Sequence, residues 1–483
     1  MSFRPMRGTV PIDRLPNEIL EGIFRMACLS PQFNVGLVIS ILAPQRGHIR
    51  CVCRRWNSLV LRYPLLWNYL RTSLTCMCRS TTREYRLLDF LLSIRRAESR
   101  PVHIYHEGEE IDSIIKTELS TMSSRVCSLY IDKTSRASII KFLFLFDIRA
   151  LVNLRHLCIH SSEPHTEEDF MTLPDFAILL SYSALETISL AYAPIPIQIQ
   201  APLPVLRSFR VTMHTPVTLE LINALRNMPK LRVLSIETAP SLRTVSATGL
   251  DEITLIPLHC LQILSIEADY YNTQIILSHL VARHLLSLTL FLYEPSRNQT
   301  AERFSRQVLS PFARGHRFQF PECRWLRIMG SRRKGRLSFF AAPSRAVAAA
   351  GRGDDDTFNM FIAASRARYT NQMTRRILRT FLRDIEVLDA RSCEANGRRP
   401  LGLPMKWWKV VLRSLPHLQN VLVDAESEDH DVVLEATDSL AGRRWAPAVD
   451  YTEHHEADPD AHSGWGNFKG WVDICLRRPF RAT

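Results

Sequence analysis

A chain of 483 residues, 46% hydrophobic and 23% charged, has room for two or three domains. It has enough apolar residues to bury their cores, which excludes a wholly disordered chain. The formal net charge of +13 would suggest a nucleic-acid partner, but 19 Lys or Arg against 5 Asp or Glu lie between Arg297 and Arg383, so the basic character belongs to one stretch.

Residues 1–10 carry Arg4 and Arg7 without an apolar stretch, so no secretory signal is expected and this end reads as disordered. No apolar run approaches the roughly 18 residues of a membrane span, and no membrane association is expected. The 11 cysteines follow no regular framework and read as reduced thiols in the cytoplasm, the nucleus or both.

The first helical signature follows. Leu15, Ile19, Ile23 and Ala27 fall four apart with Leu20 and Phe24 beside them, which predicts one apolar face. Pro16 suits a first turn, where its missing N–H costs nothing. A second apolar run, Val35 to Leu42, follows the break at Ser30-Pro31. A third helix is predicted from Ile49 to Val60, with Ile49, Val52, Cys53, Trp56, Leu59 and Val60 on one face. Tyr63-Pro64 ends it, since a residue before proline is driven out of the helical region. Leu65-Leu66-Trp67 would then cap a small three-helix core.

The blocks Leu15-Pro16-x-Glu18-Ile19-Leu20-x-x-Ile23-Phe24, Val52-Cys53-Arg54-Arg55-Trp56 and Pro64-Leu65-Leu66-Trp67 together resemble an F-box. The resemblance is closest to the F-box-like proteins abundant in mushroom-forming fungi, and it places this domain at residues 11–75. Between Ala27 and His48 the chain is longer and less regular than a compact F-box. The resemblance implies a Skp-type adaptor as partner, and through it a cullin–RING ubiquitin ligase. It implies Leu15, Pro16, Ile19, Leu20, Ile23, Phe24, Val52, Trp56, Leu59 and Trp67 as the adaptor-binding residues. So short a module has few ways to bury both Trp56 and Trp67 by itself, which leaves apolar area for a partner. The alternative is that these helices only cap the following domain.

Beyond the module, Leu87, Leu88, Leu91 and Leu92 predict a helix, and Pro101 to Tyr105 a first strand. From Arg125 onward one pattern recurs: apolar, two residues, apolar, one residue, apolar. It appears as Val126-Leu129-Ile131, Leu154-Leu157-Ile159, Leu185-Ile188-Leu190, Leu206-Phe209-Val211 and Leu231-Leu234-Ile236. It continues as Leu261-Leu264-Ile266, Leu285-Leu288-Leu290, Cys323-Leu326-Ile328 and Leu418-Val421-Val423. Up to Cys323 the intervals run from 21 to 38 residues, in or beyond the roughly 20–29 of leucine-rich repeats. Helix-capable stretches lie between, as at Leu219 to Asn227, Ile275 to Arg283 and Met373 to Leu382. Pro204, Pro229 and Pro416 stand just ahead of strands.

The predicted class is therefore α/β: a three-helix F-box-like module followed, over residues 76–435, by an irregular leucine-rich-repeat solenoid of helix, turn and short parallel strand. A plain parallel α/β sheet is the alternative. A mobile insertion is expected at 331–356, where Ala, Arg and Gly precede Asp354-Asp355-Asp356. The tail, 436–483, is expected to be partly docked through Trp445, Trp465, Trp471 and Phe480.

Catalytic signatures are missing: there is no Gly-rich phosphate loop, no Gly-x-Ser-x-Gly and no His-Glu-x-x-His. Cys51-x-Cys53 lies in the predicted third helix, where residues two apart point to different sides, Cys76-x-Cys78 lacks a second pair at zinc spacing, and His454, His455 and His462 near Asp458 and Asp460 read as a solvated segment. Neither metal nor cofactor is expected. Arg332-Arg333-Lys334-x-Arg336 has the form of an import signal or acidic-partner patch, and Arg352-Gly353-Asp354 reads as a chance tripeptide. A target protein is expected on the strand positions between the two inward apolar residues: Cys158, Ser189, Arg210, Ser235, Ser265 and Thr289. The function expected is that of a non-enzymatic adaptor that recruits a protein substrate to a ligase. The alternative is a repeat scaffold whose basic segment binds nucleic acid or another polyanion; for the chain as a whole nucleic acid is not the expected partner.

Overall fold

The computed structural model describes residues 15–29, 49–72, 83–161, 184–192, 202–213, 217, 219–238, 255–292, 318, 324–331, 336–342, 358–363, 375, 378–379, 384–389, 405–424, 429–441 and 448–452. Residues 1–10 and the predicted apolar run Val35 to Leu42 lie outside these. The chain divides into two compact units, Met1–Ser208 and Phe209–Thr483.

In the first unit, helix α1 spans Asn17–Leu29, and its first turn closes with Leu20 N–H donating to the Pro16 carbonyl at 3.1 Å. The predicted third helix is two pieces. Ile49–Val52 is helical, Cys53 is extended (φ −160, ψ 169), and α2 then runs Arg54–Arg62. The reason is local: the Cys53 sulfur caps α2 by accepting from Trp56 N–H at 3.5 Å, serving a donor that a helix start leaves unpaired. Arg55 ties the two helices together, its guanidinium donating to the Leu15 carbonyl and to Asn17 Oδ1 at 2.8 Å. Leu20, Phe24, Leu59, Val60, Leu66 and Trp67 form the core, with Leu15, Ile49 and Trp56 packed against it. The Phe24 and Trp56 rings meet edge to face, 4.9 Å apart.

Strand β1 (Tyr69–Arg71) follows directly and pairs in parallel with β2 (Val102–Glu107). The boundary expected at residue 75 therefore falls beyond the first strand. Helix α3 (Arg83–Ala97) connects the two; its Arg96 donates to the Leu61 carbonyl at 2.6 Å and lies 4.9 Å from the centre of the Trp67 ring. Then come α4 (Ser113–Ser120), β3 (Val126–Thr134), α5 (Arg136–Leu143), β4 (His156–Ser161) and β5 (Thr187–Ala191). All five strands are parallel, in the order β1-β2-β3-β4-β5.

The apolar triplets make the register. Leu129 lies beside Leu157 and Leu157 beside Ile188, while Ile131, Ile159 and Leu190 form the next row; every one of these is at most 1% exposed. Alternation puts both rows on one face, where α5 packs with Phe142 stacked on the buried His106 at 4.3 Å.

The second unit repeats the plan. Its strands are β6 (Ser208–Met213), β7 (Val233–Thr238), β9 (Ile263–Ala268), β11 (Ser287–Leu292), β12 (Trp325–Ser331), β13 (Arg336–Ala342), β14 (Phe358–Ala363), β15 (Val387–Asp389), β16 (Asn420–Asp424) and β17 (Ala448–Thr452). Two short strands, β8 (Ile256–Pro257) and β10 (Leu280–Val281), form a separate parallel pair. Its helices are α6 (Leu219–Ala224), α7 (Tyr270–His279), α8 (Met405–Ser414) and α9 (Asp429–Ala441). Asp269 caps α7 by accepting from Asn272 N–H, so this helix starts before the predicted Ile275. Leu234, Leu264 and Leu288 stand in one row and Ile236, Ile266 and Leu290 in the next, all fully buried.

Three expectations change here. The stretch 331–356 is not wholly an insertion: β13 pairs antiparallel with β12 and with β14. Leu337, Phe339 and Ala341 alternate along it, and Ala341 is 1% exposed, which is strand chemistry despite the Ala- and Arg-rich composition; residues 343–357 lie outside those described. A further unit is present at Ile385 and Leu388, both buried, with β15 parallel to β12 and β16. The boundary at 435 falls inside α9, and β17 adds a parallel strand beyond it. Trp445, Trp465, Trp471 and Phe480 lie outside the described residues. Among those described neither strand order closes on itself, and no helix is long and apolar enough to cross a membrane.

Candidate binding face

Residues between the inward apolar ones point to the opposite side of each strand. In the first unit they line up across β1 to β5 in three rows. One holds Tyr69, His103, Ser128, His156 and Thr187; the second holds Arg71, Tyr105, Tyr130, Cys158 and Ser189; the third holds Glu107, Asp132, His160 and Ala191.

Aromatic packing organises the first two rows. Tyr105 and Tyr130 pack together with Tyr69 and Cys158 against them. Tyr69 stacks on His103 at 4.3 Å, and the Arg71 guanidinium lies 5.8 Å from the centre of the Tyr105 ring. A polar chain runs along the third row. Arg71 pairs with Glu107 at 3.0 Å. The Tyr105 hydroxyl donates to Glu107 at 3.3 Å and lies 3.4 Å from Asp132 Oδ2. His160 Nδ1 lies 3.4 Å from Asp132 Oδ1. On its other side, His160 Nε2 is 3.2 Å from both Cys158 Sγ and Ser189 Oγ.

Electrostatics separates the histidines of this sheet. Burial, with the neighbouring His156 adding to it, pushes His103 down to about 4. On the core side burial does the same to His106, also to about 4. For His160 burial again disfavours the charge, but the Cys158 sulfur and the Asp132 carboxylate outweigh it and hold the imidazole up at about 10. Burial, reinforced by the Asp132 and Glu107 carboxylates, holds the Tyr105 hydroxyl above the usual phenol range.

Of the positions expected to meet a target, Cys158 and Ser189 are partly exposed and adjacent in register. Arg210 is exposed in β6, and Ser235, Ser265 and Thr289 form one row of partly exposed residues across β7, β9 and β11. That row of the second unit thus carries small hydroxyls, and Glu237 on the same face accepts from Thr212 at 2.9 Å. Sequence reasoning missed Tyr69, Arg71, Tyr105, Glu107, Tyr130, Asp132 and His160. Their signal was available: each stands an even number of places from its strand's other outward residues.

The adaptor-binding residues implied by the resemblance divide by burial. Leu20, Phe24, Leu59 and Trp67 are at most 7% exposed and hold the module's own core, so in this fold they do not reach a partner directly. Leu15, Ile23 and Trp56 are half-buried, and Pro16 is exposed. Ile19 and Val52 are 51% and 59% exposed. Among the described residues no three His, Cys, Asp or Glu are placed to hold a metal ion.

No protein-family model matches this chain, and no curated protein does either. Its class is therefore carried by the fold alone: an α/β chain in which helices link parallel strands.

Proposed function

We propose that this chain is a non-enzymatic adaptor that recruits a protein target to a Skp–cullin–F-box type ubiquitin ligase. Its N-terminal F-box-like helices meet the Skp-type adaptor, and the polar face of an irregular leucine-rich-repeat solenoid holds the target. The observation that carries the reading is the packing of the three motif blocks, Leu15 to Phe24, Val52 to Trp56 and Pro64 to Trp67, around one core. With that core filled, the β-branched side chains Ile19 and Val52 still face solvent, where they add apolar area to a partner surface. The solenoid reading is supported by parallel strands whose apolar residues stay in register from unit to unit. Such a protein does no chemistry on its target; it raises the target's effective concentration beside a ubiquitin-charged enzyme.

The test uses the full chain with Ile19→Glu and Val52→Glu together. Both side chains are exposed, so thermal unfolding is expected to change little. Capture of a purified Skp-type adaptor is expected to fall at least roughly tenfold, as apolar anchors are lost and charge is desolvated. Full retention of capture by the folded double variant would remove the ligase reading.

A further inference from the structure

We infer that Cys158 is a nucleophilic thiol that adds to α,β-unsaturated carbonyl compounds, with His160 as its proton acceptor and Asp132 as the group that orients His160. The arrangement has the parts nucleophilic activation requires: a sulfur, a base within contact and a third group fixing the base. Cys158 Sγ lies 3.2 Å from His160 Nε2, and Asp132 Oδ1 lies 3.4 Å from His160 Nδ1. With Nδ1–H turned to the carboxylate, Nε2 is left to accept. Strand register makes this possible, since Cys158 and His160 are two apart on β4 and Asp132 stands opposite His160 on β3. Tyr130 faces Cys158 from β3, Ser189 faces it from β5, and His156 precedes it in the same strand face.

A second cysteine on the same sheet shows what the carboxylate adds. Cys127 Sγ lies 3.6 Å from His103 Nδ1. That ring is stacked on Tyr69 and bonded to Ser128 Oγ at 2.8 Å. Burial, with the neighbouring His156 adding to it, holds this ring down at about 4, so it is a poor proton acceptor for Cys127, whose thiol burial pushes up. At His160 the balance runs the other way, toward an imidazolium beside sulfur.

Conjugate addition suits this site because it needs no leaving group. The thiol proton passes to His160 Nε2, and a sulfur lone pair forms the S–C bond at the β-carbon. The C=C π pair moves onto the carbonyl as an enolate, whose α-carbon then takes the proton back from the imidazolium. Nothing is oxidised or reduced. The buried Tyr105 and Tyr130 rings pack beside Cys158.

N-ethylmaleimide is the probe, with the rate at each cysteine of the full chain read by mass spectrometry. At about pH 6, Cys158 is expected to react roughly tenfold faster than the more exposed Cys51 and Cys260. Cys127 is expected to be the slowest of the four. The same order of rates is expected at about pH 8. His160→Gln and Asp132→Asn should each slow Cys158 by about tenfold at the lower pH and leave Cys260 unchanged; Ser189→Ala should not slow it. The wild-type rates decide the matter even if a variant misfolds: a Cys158 rate no faster than that of Cys260, or no adduct at Cys158, overturns the inference.

Discussion

His106 and His160 sit on neighbouring parts of one sheet but on opposite faces, and their surroundings move them in opposite directions. His106 is fully buried on the core side, where Thr72 Oγ1 meets its Nδ1 at 2.8 Å and Phe142 stacks on its ring. With its folded value lowered to about 4, the unfolded chain binds the extra proton between pH 6.5 and 4. Stability that is present above pH 6.5 is therefore lost as the pH falls, by roughly 3 kcal/mol from this residue. Urea unfolding of His106→Phe should show a shallower loss over that window; an unchanged slope would mean that His106 is not the titrating group. His160 has the opposite sign, because its folded value is raised. Its contribution is complete below pH 6.5 and fades as the pH climbs through about 10.

The unit of construction is a strand whose alternate residues serve two different purposes. Leu234 is fully buried in the row shared with Leu264 and Leu288, whereas Ser235, one residue on, lies in the partly exposed row of Ser265 and Thr289. Leu234→Asp is expected to destabilise the second unit by several kcal/mol, on the order of the cost of an unpaired buried charge. Ser235→Asp should change stability by no more than about 0.5 kcal/mol. Denaturant titration of the two variants decides it: equal effects would mean that the alternation has been assigned to the wrong faces. The same alternation was readable in β13, where Leu337, Phe339 and Ala341 repeat every second residue. It was obscured by the Ala-, Arg- and Gly-rich run that follows.

For the whole molecule, the join between the helical module and the sheet matters most, because one short segment serves both. Residues 68–72 contribute β1, and they add bonds from His103 N–H to the Asn68 carbonyl at 2.7 Å and from Thr72 N–H to the Tyr105 carbonyl at 3.0 Å. Removing residues 1–75 therefore takes away a strand as well as the helices and leaves β2 as a bare edge, which invites aggregation. A version lacking residues 1–67 is expected to unfold at a higher temperature and scatter less light than one lacking 1–75. Equal behaviour would show that β1 adds nothing to the sheet.

Local chemistry by itself determined the strands that carry the apolar triplets and which of their residues turn inward. An apolar residue every second place, after a turn, has one way to bury itself, and that preference travels with the segment wherever it is set. The helix stop at Tyr63-Pro64 was decided equally locally, by the clash that proline imposes on the residue before it. Tertiary structure alone decided what depends on a partner far along the chain. Arg55 reaches back to Leu15 and Asn17 to tie the two helices of the module together. Leu20 and Phe24 are spent on the module's own core while Ile19 faces water. Asp132 meets His160 only because two strands 28 residues apart pair in that register. Periodicity records which face a side chain takes, but not which neighbour's side chain will stand opposite, since that is set by the free energy of the whole packed sheet.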